Sequence, residues 1–394
     1  MKWLLTVLFL FTCCLQLRAQ QKDEQPKAKF ITQFGFEQLT GGVILLHAKF
    51  GNLPDTLNFI LDTGSGAISL DSTTAEEFKI KNIPSGRTVS GIAGVREVNF
   101  APNNKLHLPG LTVDSLDFYI NNYNILSSVY GIKVDGVIGY SLLKRYIVSI
   151  NYDERIIKIY TPGKFKYKRK SVLLKPLFTA LPIMPIHIED EKKLLANFYF
   201  DSGAGLCFLL TEQFTNDSSF LKKRKPVIIQ VQGFGGKKQM KLTVIDKLKL
   251  GPFKFKNIPT NLLDDDHNAL SYPFIGGLIG NDILRRFNTV LNYPEKTIAL
   301  KANSHYKDPF DYSYTGMNMY QEDGQIIIDD IVPGSPAGKS GLKNGDVVIG
   351  INTNFSNNIL AYKNIVQNAG KKVQVYVSRN EELQVFEFVV DSIF

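Results

Sequence analysis

The sequence predicts a mainly β protein: two similar β-barrel lobes in tandem, with a small α+β domain behind them. Three observations carry this. Two apolar runs end alike, in Phe59-Ile-Leu-Asp62-Thr-Gly-Ser65 and Phe198-Tyr-Phe-Asp201-Ser-Gly-Ala204. Each is followed at nearly the same distance by an apolar-apolar-Gly string and then by Asn-Tyr. Gly139 lies 77 positions after Asp62 and Gly280 lies 79 after Asp201, while Tyr152 and Tyr293 follow at 90 and 92. Such agreement reads as a duplicated lobe. From about residue 311 the pattern changes to short alternating strands around one helical segment.

In chain order, residues 1–19 read as a signal peptide. Lys2 supplies a short positive end, Leu4 to Leu17 is mostly apolar, and Leu17-Arg-Ala19 fits a small-residue cleavage site. The apolar run is short for a membrane span, so no transmembrane segment is expected in the mature chain. Cleavage there removes Cys13 and Cys14 and leaves Cys207 alone, so no intrachain disulfide can form. Export to a bacterial envelope is expected: periplasmic, envelope-associated or secreted. Residues 20–40 read as an N-terminal extension, polar over Gln20–Lys29.

The first lobe spans 41–160. Val43–Phe50, a turn at Gly51-Asn-Leu-Pro54 and Thr56–Leu61 make a hairpin that delivers Asp62 at its end. A short helix with a hydroxyl cap follows over Ser72–Lys79. Residues 161–170, basic with Pro and Gly, read as a linker. The second lobe, 171–305, repeats the plan: Leu181–Ile188 and Leu194–Phe200 flank a charged turn and deliver Asp201. The last domain, 310–394, has strands at 324–332, 347–352, 373–377 and 384–390, a short helix opened by Pro333-Gly-Ser-Pro-Ala337, and a second helix over 359–369.

A carboxylate directly after a buried strand is costly to desolvate. Two of them suggest a pair sharing one proton, able to activate water and protonate a leaving group. Gly64 and Gly203 let backbone approach the carboxylates closely. Thr63 and Ser202 can hydrogen-bond across the lobe interface. Ser65 can donate to its carboxylate and Ala204 cannot, which favours ionisation of Asp62 over Asp201 within a pair that titrates as a unit. Asp62 is therefore expected to be the more anionic partner.

These strings, in this order and spacing, resemble the aspartic peptidases, with tandem pepsin-like lobes whose short repeats look closer to the retroviral-type unit. The resemblance covers roughly residues 40–301. It implies an acid-protease-like β-barrel fold, in which Asp62 and Asp201 polarise a water that attacks a peptide carbonyl, with no metal, no cofactor and no covalent intermediate. It also implies a hairpin flap over the cleft. The Gly-rich segments around Gly91-Ile92 and Gly233-Phe234 are the candidates, and neither carries the flap Tyr of pepsin-like proteins. Loss of the Ser65 counterpart at Ala204 predicts a working pH less acid than that of digestive aspartic proteases.

The C-terminal domain resembles a PDZ domain of the bacterial protease type, on Pro333-Gly-Ser-Pro-Ala337, Gly341-Leu-Lys-Asn-Gly-Asp346 and Gly350-Ile-Asn352. Its peptide-carboxylate loop is expected at Gly316-Met317-Asn318-Met319. Asn318 stands where Gly is common. Such a groove binds an extended peptide by strand addition beside a helix.

The bulk properties narrow the classes. The net charge of +9 is scattered, with small concentrations at 164–170 and 222–225, and no aromatic-basic module accompanies it, so nucleic acid is not an expected partner. No pair of His residues has metal-ligand spacing. Cys207 lies in an apolar run and reads as an inert thiol. The expectation is thus an exported, monomeric aspartic-type endopeptidase acting on protein or peptide substrates, with a PDZ domain for a substrate or regulatory peptide. A rival shares every feature: a catalytically silent protein binding peptide or envelope polymer through the PDZ groove or interlobe cleft.

Overall fold

The computed structural model describes residues 26–91, 94–233, 236–266, 270, 274–310 and 315–393. The chain is mainly β, and the duplication is visible strand by strand. In the first lobe the hairpin Ile44–Phe50 and Leu57–Leu61 leads to Asp62, and Gly136–Ile138 pairs parallel to its second strand. In the second lobe the hairpin Pro182–Glu189 and Lys193–Phe200 leads to Asp201, and Ile275–Ile279 pairs parallel in the same way. Each lobe forms an eight-stranded sheet of matching order. Alternation along the hairpins explains why they curl into barrels. In Ile44–Phe50 the exposed positions are His47 and Lys49; Ile44, Leu46, Ala48 and Phe50 face a core shared with Phe59, Leu61, Phe118 and Leu106, and Leu45 packs on the other face with Ile60 and Val137.

A third, six-stranded sheet joins the lobes. It runs Phe30–Gly35, Ile156–Tyr160, Ile147–Asn151, Phe287–Asn292, Thr297–Ala302 and Val172–Leu174. The seam is antiparallel, Val148 opposite Leu291, so each lobe contributes one half. Residues from both lobes belong to one continuous apolar core. Burying it is the main stabilising term, at about 25 cal/mol per Å².

The C-terminal domain has its own core, formed by Met319, Ile326, Ile328, Ile351, Tyr362, Val375 and neighbours. Its five-stranded sheet begins with Asn318–Glu322 as an edge strand and is followed by Gln325–Asp329, Val347–Ile351, Lys372–Arg379 and Glu382–Val389. Two helices, Pro336–Ser340 and Ile359–Ile365, cover it. Ser335 caps the first with Pro336 in the first turn, and Asn358 caps the second. Asp346 is buried and held bidentately by Arg379 at 2.6 and 2.7 Å. Among the described residues no helix is long and apolar enough to cross a membrane.

Candidate active site

Asp62 and Asp201 sit at matching strand ends because the parallel pairings hold them there. Asp62 N donates to Ile138 O at 2.9 Å, and Asp201 N to Ile279 O at 3.0 Å. Behind each loop the chain passes so closely that only glycine fits. A Cβ on Gly139 would stand 2.4 Å from the carbonyl oxygens of Ser65 and Ala67, and one on Gly280 would stand 2.1 Å from that of Leu206.

The two loops clasp each other. Thr63 Oγ1 donates to Phe200 O at 2.6 Å and accepts from Ser202 N at 2.9 Å. Ser202 Oγ returns the pattern, donating to Leu61 O and accepting from Thr63 N, both at 3.1 Å. Every polar atom of the clasp is buried and paired. The glycines are reciprocal as well: a Cβ on Gly64 would stand 2.5 Å from Asp201 Cγ, and one on Gly203 would stand 2.3 Å from Asp62 Cγ. Each loop thereby presses its backbone on the other lobe's carboxyl, and the two carboxyls hydrogen-bond to one another.

The electrostatics of the pair follow from this enclosure. Desolvation pushes Asp62 well above the usual carboxylate range, and the neighbouring Asp201 charge pushes it further. Asp201 is also raised by desolvation, but its hydrogen bonds oppose the rise. Asp201 Oδ1 accepts from Gly203 N at 2.9 Å and from Ala204 N at 3.0 Å, whereas Asp62 Oδ1 accepts a shorter bond from Gly64 N at 2.6 Å. Main-chain N–H groups thus hold both carboxyls. Ser65 does not donate to Asp62; its hydroxyl turns to Ala67 O at 3.4 Å. Replacing the serine by Ala204 costs the second loop nothing, because the main-chain N–H of Ala204 makes the bond. Burial raises both carboxyls, and the pair titrates as a unit.

Both carboxyls lie on the wall of a cavity of about 990 Å³, which Gly64, Ser65, Gly203 and Ala204 also line. The two Gly-rich segments are the ends of long hairpins, Ile83–Gly91 with Gly94–Leu108 and Val227–Gly233 with Gly236–Leu250. Gly91 pairs with Gly94 and Gly233 with Gly236. Ile92 and Phe234 lie outside the described residues. Val89, Gly91, Ile229 and Gln230 line the cavity, so both hairpins reach it.

The loop Gly316, Met317, Asn318 and Met319 lines the same cavity, together with Leu360, Lys363 and Gln367 of the C-terminal helical segment. Gly316 has φ +68°, and its carbonyl accepts from Val332 N at 2.7 Å. Met317 and Met319 are buried in the domain core. No local pattern along the chain places this loop beside the two carboxyls, since the residues that meet there lie in separate domains.

Two further features escaped the sequence reading. Tyr130, at the end of the helix Asn124–Tyr130, is buried in the cavity wall, and a Cβ on Gly205 would stand 3.3 Å from its hydroxyl. Burial and the charges of Asp62 and Asp201 push that hydroxyl up, so it keeps its proton and can donate to a bound carbonyl. The short turn Thr40–Gly42 meets the second lobe: Gly41 has φ +69° and presses on Gly205 O, and Gly42 O accepts from Asn281 Nδ2. Cys207 is buried, with its thiol donating to Asp282 Oδ2 at 2.9 Å, and Asp282 is ion-paired to Arg285 at 2.6 Å.

Residues 46–142 and 184–283 each match the family model for aspartyl protease, and residues 309–378 match that for the PDZ domain. No curated protein matches the chain.

Proposed function

From the premise that this chain belongs to the aspartyl protease family and carries a C-terminal PDZ domain, we propose that it is an endopeptidase whose single site is built from Asp62 and Asp201. The observation that carries this reading is the reciprocal packing of Gly64 over Asp201 and Gly203 over Asp62, which holds two buried, interacting carboxyls side by side at a cavity wall, the arrangement in which a pair can share one proton. In the reaction, Asp201 takes a proton from water as the oxygen attacks the peptide carbonyl carbon. Asp62 gives its proton to the carbonyl oxygen. Collapse of the tetrahedral diol returns that proton to Asp62, and Asp201 passes its own to the departing amine. The PDZ domain binds a polypeptide segment in the groove between Asn318–Glu322 and Ile359–Ile365. Residues 1–19, outside the described residues, support an exported protein.

The test is hydrolysis of fluorescein-labelled casein by the purified protein, with Asp62→Asn and Asp201→Asn in parallel. Each substitution is expected to lower kcat by at least about 10³-fold, within the range that acid–base groups supply. Cleavage that survives in both variants, or is absent from the unsubstituted protein at every pH from 3 to 8, ends the peptidase reading.

A further inference from the structure

The groove of the PDZ domain is not open to solvent along its length. Among the described residues its edge strand, Asn318–Glu322, has no strand neighbour on its outer side, which is where an added peptide would pair. The first-lobe helix Asn124–Tyr130 packs against that strand. Across the groove, Lys363 Nζ donates to Val129 O at 2.6 Å, and Leu360 packs with Leu126, Val129 and Ile132 on a first-lobe apolar cluster. At the end of the helix the fit is tight. Gly131 is its left-handed cap residue, and a Cβ there would stand 2.2 Å from Ile359 Cγ2 and 2.5 Å from Gln321 Oε1. One helix thus touches both walls of the groove, the strand through Gln321 and the helix through Ile359 and Lys363.

The same domain also reaches the second lobe. Asn318 Nδ2 donates to Gln230 O, on the hairpin strand that lines the cavity, at 3.3 Å. The PDZ domain therefore bridges the first-lobe helix and a second-lobe hairpin, and its loop and helix close one wall of the cavity holding Asp62 and Asp201.

We propose that the PDZ domain is a lid on the catalytic cleft, latched by the 124–130 helix lying in its peptide groove, and that a polypeptide with a free C-terminal carboxylate and an apolar last residue releases the latch by taking the helix's place. The apolar end of the ligand matches Met317 and Val366, which face the cavity where the carboxylate loop begins. The helix and the ligand cannot occupy one groove together, so the apparent affinity for ligand is reduced by the fraction of molecules with the groove free. The activity part of this inference rests on the peptidase reading above; the competition for the groove does not.

The experiment uses the full chain and an equimolar pool of heptapeptides ending in Ala, Val, Leu, Ile or Phe, with the amidated pool as control. Binding is read by calorimetry, opening by amide hydrogen exchange at residues 124–131 and 318–322, and activity on labelled casein. The free-acid pool is expected to bind, to raise exchange at 124–131 several-fold and to raise casein cleavage, while the amidated pool does none of these. Gly131→Asn keeps the left-handed cap and puts atoms where Ile359 and Gln321 stand, so the pool should bind it about fivefold more tightly. Should that variant fail to fold by circular dichroism, Leu360→Ala weakens the same contact from the PDZ side and is expected to shift affinity in the same direction. Opening without cleavage by any form leaves the latch standing and removes the peptidase reading. No binding by the pool at millimolar concentration, binding with unchanged exchange at 124–131, or equal effects of the amidated pool overturns the latch, whatever the casein assay shows.

Discussion

Asp62 and Thr63 make opposite demands on the same turn. Asp62 must hold a proton in an enclosed site, and Thr63 must leave no polar atom unpaired beside it. Burial and Asp201 hold the folded carboxyl well above its ordinary value of 3.8. As pH rises above 3.8, the native state binds more protons at Asp62 than the unfolded chain does, so stability falls until the raised folded value is passed. Asp62→Asn removes this liability. Its melting temperature should exceed that of the unsubstituted protein at pH 7 and match it near pH 3, as measured by circular dichroism. Equal differences at both pH values would refute the assignment of the raised group. The shared proton also fixes the basic limb of the pH–rate profile. Because Asp62 holds it above the ordinary carboxylate range, cleavage should persist at weakly acid pH, and a profile that collapses above pH 4 would contradict that. For Thr63→Val the clasp loses an acceptor for Ser202 N and a donor to Phe200 O, both buried. The expected cost is about 2–4 kcal/mol in a urea titration. These partners were legible as residue types. What the sequence hid was that a main-chain N–H, at Ala204, donates to the Asp201 carboxylate, a bond that a comparison of side chains does not show.

The elements that position the site were legible where their signal is local. Apolar alternation, the turn at 51–54 and helical spacing are properties of a few neighbouring residues, and the hairpins and the 359–365 helix follow from them; the cap expected from a hydroxyl at 72–79 is instead Asp71, which accepts from Thr74 N at 3.1 Å. Two elements were not legible. Phe30–Gly35 carries a largely exposed pattern, and its partner Ile156–Tyr160 lies more than a hundred positions away. The Thr40–Gly42 turn has meaning only through Gly205 and Asn281 of the other lobe. That turn gives a direct prediction. Gly41→Ala sets a Cβ 2.1 Å from Gly205 O in a left-handed backbone. It should destabilise by roughly 2–4 kcal/mol in denaturant, and it should reduce kcat, since Gly205 adjoins the loop that holds Asp201. An unchanged unfolding midpoint would mean that the turn does not join the lobes.

On the scale of the whole molecule, the lobes share one core and one sheet, whereas the PDZ domain has a core of its own. Scanning calorimetry should therefore show two transitions, one for both lobes together and one for the PDZ domain, with no third arising from separation of the lobes. Three resolved transitions would show that the six-stranded sheet does not couple them. The sequence alone determined that there are two lobes, that each ends a buried strand in an Asp, and that a PDZ-like domain follows. These are written in repeats and spacings along the chain, and repetition survives without coordinates. Only the tertiary structure decided that main-chain N–H groups hold the buried pair, and that the 124–130 helix packs on the PDZ edge strand beside the cavity lined by Asp62 and Asp201. Both depend on atoms brought together from distant positions, Ala204 N beside Asp201 and Val129 O beside Lys363, and the desolvation that sets proton affinity exists only once the chain has closed around them.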